Sequence, residues 1–171
     1  MKTLEISFMI LLMVLFVSCS AEKADVKNKS NQKEQKTQPT NSGDVGCDQT
    51  LWNHVYDPSR LEVRDKCKVV TGVVEELGEN PDGDTHLLLK LDSGQEDLLT
   101  KRNIKKKDGN LVAEVVCANK VTDKKATDAC NGFSNKIALP AVGDHVRVTG
   151  SYVIDSHNDW AEIHPVSKIE K

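Results

Sequence analysis

The same local text occurs twice in this chain, Val70-Thr71-Gly72 and Val148-Thr149-Gly150, each time inside a stretch of alternating β-branched residues. Glycine is a poor strand residue, and inside a strand it marks a bulge or a sharp bend where backbones come close. Two such positions about 78 residues apart predict that the strands holding them coil strongly. Tight coiling of this kind is what a small closed β-barrel requires.

The flanking pattern supplies the other strands. Cys67 to Leu77 is rich in Val, and Thr85 to Asp92 follows the turn Glu79-Asn80-Pro81-Asp82-Gly83-Asp84, whose Pro and Asp-Gly predict a hairpin. Leu111 to Asn119 sets Leu111, Ala113, Val115 and Cys117 against Val112, Glu114 and Val116, which predicts a third strand. The polar stretch around Cys130-Asn131-Gly132 reads as irregular or a short helix. A fourth strand is expected over His145 to Asp155, with Val146, Val148, Tyr152 and Ile154 on one face, and a fifth over about Trp160 to Ile169. Leu51-Trp52-Asn53-His54-Val55-Tyr56-Asp57-Pro58 precedes the first strand and is expected to lid one end of the barrel.

Five strands, bent first and fourth strands and a long third connection make an all-β chain that is similar to the OB-fold, a five-stranded closed or partly open barrel. The phrase from Val142 to Gly150 is particularly like an OB-fold fourth strand. The ending from Asp155 to Val166 also resembles a group of uncharacterised bacterial secreted proteins, which brings no activity with it. A β-sandwich is the alternative architecture.

The start of the chain is of a different kind. Met1-Lys2 and the apolar run from Ile6 to Val17 describe a secretory signal, residues 1–18. The run reaches about 18 Å as a helix, against a hydrocarbon core of about 30 Å. Leu15-Phe16-Val17-Ser18-Cys19 resembles a bacterial lipobox, with Phe16 where Leu is usual. That resemblance implies a lipoprotein carrying a diacylglyceryl group and a fatty acid such as palmitate on Cys19, held firmly by its acyl chains on the outer side of the cell membrane or in the outer membrane. Residues 19–43 are almost wholly polar, with one Val and no aromatic side chain, and are expected to be a disordered tether. The remaining 44–171 suit one compact domain, expected to act as a monomer.

With Cys19 assigned to lipid, Cys47, Cys67, Cys117 and Cys130 leave an even number in an oxidising compartment. They lack the Cys-x-x-Cys spacing of a zinc site, so two disulfides are expected among three possible pairings. Nearest-neighbour closure, Cys47 with Cys67 and Cys117 with Cys130, would add about 3 kcal/mol for each loop. From Asp44 onward there are 17 Lys plus Arg against 22 Asp plus Glu. This acidic balance speaks against nucleic acid as a partner. The basic run Lys101-Arg102-Asn103-Ile104-Lys105-Lys106-Lys107 has no interleaved aromatics and reads as a solvated loop.

Candidate chemistry collects in two loops. Asp84 and His86 sit at the first hairpin with Asp82, and Asp155 and His157 lie between the fourth and fifth strands with Asp159. In OB-folds these two loops flank the ligand groove, so the resemblance implies that the clusters face each other. Alternation on the last strand places Trp160, Glu162 and His164 on one face as a polar ledge beside that groove, with Ala161 and Ile163 on the other. These residues, with His86 and His157, are the candidate ligand-binding set, and imidazole with carboxylate could also hold a divalent metal.

Asp82-Gly83-Asp84-Thr85 resembles the first-hairpin motif of thermonucleases, which would make Asp84 a calcium ligand. That family's arginine and Asp-Thr-Pro-Glu-like turn do not follow on the next strands. Serines lack the Gly-x-Ser-x-Gly setting, and two disulfides would leave no free cysteine. The expected function is a lipid-anchored extracytoplasmic module that binds a small molecule or protein. The alternatives are a metal-dependent, nuclease-like hydrolase using the His/Asp/Glu cluster and a structural protein of the cell envelope.

Overall fold

The computed structural model describes residues 46–171. The expected signal, Cys19 and the expected tether lie outside the described residues. Five strands carry the fold: β1 (Leu61–Glu79), β2 (Thr85–Leu91), β3 (Leu111–Val115), β4 (His145–Asp155) and β5 (Trp160–Glu170). Their hydrogen-bonded order is β1-β2-β3-β5-β4, and β4 pairs back onto β1, so a single sheet closes into a barrel. All pairings are antiparallel except β3 with β5, a short parallel seam at Val112↔Glu162 and Ala113↔Ile163.

The two glycines of the repeated text make closure possible. Gly72 sits where β1 serves two neighbours, opposite Leu91 of β2 and Val146 of β4, and a Cβ there would run into the backbone carbonyl of Lys90. Gly150 faces Val166 of β5, where a Cβ would stand 2.5 Å from Pro165 O and 2.6 Å from Ile163 Cγ2. Only hydrogen fits at either crossing.

Inside the barrel, Leu87, Leu89, Leu111, Ile163, Val74 and Val148 form a core fully withdrawn from water. A side chain buried in this way contributes about 1.5 to 3 kcal/mol. A second apolar cluster lies apart from that core. Leu51 and Val55, from the segment expected to lid the barrel, pack with Leu61, Val116, Val153 and Phe133 instead of with the main core. Val153, on β4, and Val116, just past the end of β3, are not among the barrel-core residues, so the segment covers the barrel's outer wall. Disulfides Cys47–Cys67 and Cys117–Cys130 staple the edges of this cover.

Three elements depart from the sequence pattern. β1 begins six residues before Cys67, in a polar stretch whose pairing with β4 shifts register twice. It buries little there, so alternation carries no signal. β3 ends at Val115, because the chain leaves the ladder and Cys117 takes a left-handed conformation at φ 52°. The basic run is a short helix, α1 (Lys101–Lys106), capped by Thr100 and Asn103 side chains that each satisfy the other's backbone N–H.

Candidate functional site

The β1–β2 turn and the β4–β5 turn meet at one end of the barrel and border a cavity of about 320 Å³. The first turn is closed by Asn80 N donating to Asp84 O (2.9 Å), and Gly83 takes φ 98° there. The second is organised by Asp155, which is fully buried and accepts hydrogen bonds from Arg60 Nη1 (2.6 Å), Asn158 Nδ2 (2.6 Å) and His157 N (2.8 Å). Helix α1 braces this turn from outside. Thr100 Oγ1 donates to Asp159 O, Arg102 Nε donates to Asn158 O, and buried Asn103 bonds both backbone groups of Ala161.

Tyr56 and Trp160 give the cavity aromatic walls, and Asp57, Asp82, Glu114 and Asp155 give it carboxylates. Arg60, His86 and His157 complete the polar lining, with Arg60 already committed to Asp155. Trp160 is held at both sides: its indole Nε1 donates to Glu162 Oε1, and the Lys107 ammonium lies 4.1 Å from its ring centre.

Of the seven sequence-predicted residues, His86, Asp155, His157 and Trp160 line this cavity. Asp84, Glu162 and His164 do not line it, and Glu162 and His164 do not stand beside Trp160 as an open polar ledge. They are buried, with 2%, 0% and 1% of their surface exposed. The outer wall explains the difference: Glu162 pairs directly with Val153, which the second apolar cluster covers. The fifth strand therefore has no solvent face at this point.

The residue that joins the two groups is Glu114, which sequence reasoning did not select. It is buried, lines the cavity and faces His86 across the β2–β3 ladder. Its Oε1 lies 2.9 Å from His86 Nε2 and its Oε2 lies 3.1 Å from His164 Nδ1, off the direction a hydrogen bond requires. His164 Nδ1 instead donates to Glu162 Oε2 at 3.3 Å. His164 Nε2 stands 3.8 Å from Asp84 Oδ2 and has no hydrogen-bond partner. The usable signal was a single glutamate in an otherwise apolar strand, with a histidine on the strand before it.

Burial sets the electrostatics. It pushes the Asp84 carboxyl up to about 7, helped by the charges of Asp82 and Glu114 against the pull of His164. Burial and the Glu114 charge also raise Glu162. Glu114 is the exception: burial would raise it, but His164 and His86 outweigh that and bring it down to about 2. Burial likewise opposes charge on His164, yet Glu114, Glu162 and Asp84 together carry it up to about 9.

Among the described residues, the set Asp84, Glu114 and His164 offers one possible metal-ligand atom each, all within 4.8 Å of one another. Cys117 and Cys130 lie near Asp84 but are joined in a disulfide and offer no thiolate. The metal set expected from sequence was different, since His157 is exposed on the cavity rim and His86 serves Glu114.

The pKa shifts predict the pH dependence of stability in protein stripped of metal by a chelator. The contribution of Glu114 is complete above its ordinary 4.5 and is lost as pH falls through about 2. Those of Asp84 and His164 are complete below 3.8 and 6.5, and are lost as pH rises through about 7 and about 9. The melting temperature is therefore expected to peak at about pH 4.5 and to decline steadily to pH 9. A profile that rises from pH 5 to pH 9 would contradict the arrangement.

No family model matches the chain, and no curated protein matches it.

Proposed function

We propose that the protein is a lipid-anchored, extracytoplasmic binding module of OB type that takes a small polar ligand into the cavity between the β1–β2 and β4–β5 turns. The observation that carries this reading is that His86 and Trp160, remote in sequence, line one cavity at one end of the barrel. The strand order β1-β2-β3-β5-β4 with its parallel β3–β5 seam supports the OB reading. A volume of about 320 Å³ suits a small molecule. Four carboxylates surround it, and its one guanidinium is spent on Asp155, so the complementary ligand is an amine or a hydroxyl-rich neutral molecule, not an anion.

The test is a calorimetric titration of the full chain with panels of small amines, polyols and acids. A binder is expected among the first two panels, and Trp160→Ala is expected to weaken it at least about tenfold, as loss of a preorganised aromatic anchor does. Trp52→Phe, in the outer apolar cluster, should leave the affinity unchanged. Binding confined to acids, or indifferent to Trp160→Ala, would reject the proposal.

The anchor is tested separately by fractionating cells that express the chain. The parent protein is expected in the membrane fraction, and Cys19→Ser is expected to move most of it to the soluble fraction. An unchanged distribution would remove the lipid from the proposal.

A further inference from the structure

We propose that Asp84, Glu114 and His164 form a mononuclear site for a divalent transition cation of the zinc class at the inner end of the cavity. The inference goes beyond the ligand-binding reading and does not depend on it.

Each of the three side chains has one polar atom fixed by the fold and another left over. Asp84 Oδ1 accepts from Cys117 N at 2.9 Å, which leaves Oδ2 facing His164. Glu114 Oε1 is taken by His86, and its buried Oε2 has no hydrogen-bond partner. His164 Nδ1 is hydrogen-bonded to Glu162, and buried Nε2 is without a partner; a cation that displaces the second imidazolium proton would take the lone pair this frees on Nε2. Leaving a polar group buried and unpaired is costly, and this cluster leaves two. A cation satisfies both and offsets the surplus of carboxylate over imidazole.

The dimensions agree for His164 and Asp84, while Glu114 Oε2, now 3.1 Å from His164 Nδ1, reaches the ion by a turn of its carboxylate. Two ligands about 2.1 Å from one tetrahedral cation stand about 3.4 Å apart. His164 Nε2 and Asp84 Oδ2 are separated by 3.8 Å, so a few tenths of an ångström of closure completes the pair. The supporting hydrogen bonds are those of metal sites, where a carboxylate orients the ligating imidazole through its other nitrogen. Glu162 has that role here and is itself held by Trp160. Glu114 borders the cavity, which gives the ion a way in and leaves a coordination position for water. Calcium, the ion a thermonuclease-like turn would imply, takes oxygen ligands only, whereas one imidazole with two carboxylates suits zinc, cobalt or manganese.

The test uses the full chain in detergent after removal of metal by chelator. Cobalt(II) titration is expected to give visible absorption bands that saturate at one equivalent and are displaced by zinc. Of the five histidines in the chain, a spectrum of protein labelled with ¹⁵N-histidine should show coordination at His164 Nε2 when zinc is added. The triple variant His54→Gln/His145→Gln/His157→Gln should keep the equivalent, because those side chains lie outside the cluster. His164→Gln or Asp84→Asn, where folded by circular dichroism, should weaken binding by more than about 100-fold, beyond the range seen for supporting residues. Absence of saturable uptake, coordination at another histidine, loss of the ion in the triple variant, or a folded cluster variant that binds normally would each overturn the site.

Discussion

Glu114→Ala is expected to destabilise the metal-free domain by about 3 to 5 kcal/mol, the cost of removing one partner from a buried ion pair. Glu114 is 2% exposed and contacts two imidazoles, His86 at 2.9 Å and His164 at 3.1 Å. Its charge helps to hold His164 protonated in a site where burial alone would neutralise it. Without it, His164 keeps only Glu162 and Asp84, whose own carboxyls are pushed toward the neutral form. Glu114→Gln keeps the volume and a possible acceptor for His86, so it should cost less. Urea unfolding checks both variants, with the midpoint falling and the slope unchanged. Equal midpoints for Glu114→Ala and the parent would show that the cluster is not joined through this residue.

Gly150→Val is expected to prevent the barrel from closing, with a loss of more than about 3 kcal/mol and little folded protein recovered. A Cβ alone would stand 2.5 Å from Pro165 O and 3.0 Å from Val166 Cα, and these are backbone atoms of the paired strand that cannot turn aside. Valine adds two more carbons at the same crossing. Gly78 is the control, since a Cβ there meets nothing within 4 Å, and Gly78→Ala should leave stability nearly unchanged. Circular dichroism and thermal melting decide between them, and a Gly150→Val protein that melts like the parent would refute the steric account.

The contrast between these two sites separates local from global information. Gly150 was legible in the sequence because an isolated glycine among β-branched residues breaks a pattern of period two. β4 (His145–Asp155) lies where alternation and the preceding turn predict it, and β2 and β5 end within one residue of expectation. Helix α1 was hidden by its charge, since the basic run masked the Thr100-x-x-Asn103 cap that starts it. Glu114 stood in the alternation beside Val112 and Val116, and alternation gives no sign that a separate segment will cover that face.

By itself the sequence determined the five strands, the two glycine crossings, the hairpin turn and the supply of four cysteines for two bridges. These depend on neighbours a few residues apart, where steric rules and side-chain period act directly. The tertiary structure alone decided which cysteines pair, that Leu51 and Val55 wrap the outer wall, and that Glu162 and His164 are buried instead of exposed. It also brought Asp84 of the β1–β2 turn, Glu114 of β3 and His164 of β5 to within 4.8 Å of one another. Burial and charge coupling depend on what arrives from elsewhere in the chain, and no local pattern encodes that arrival.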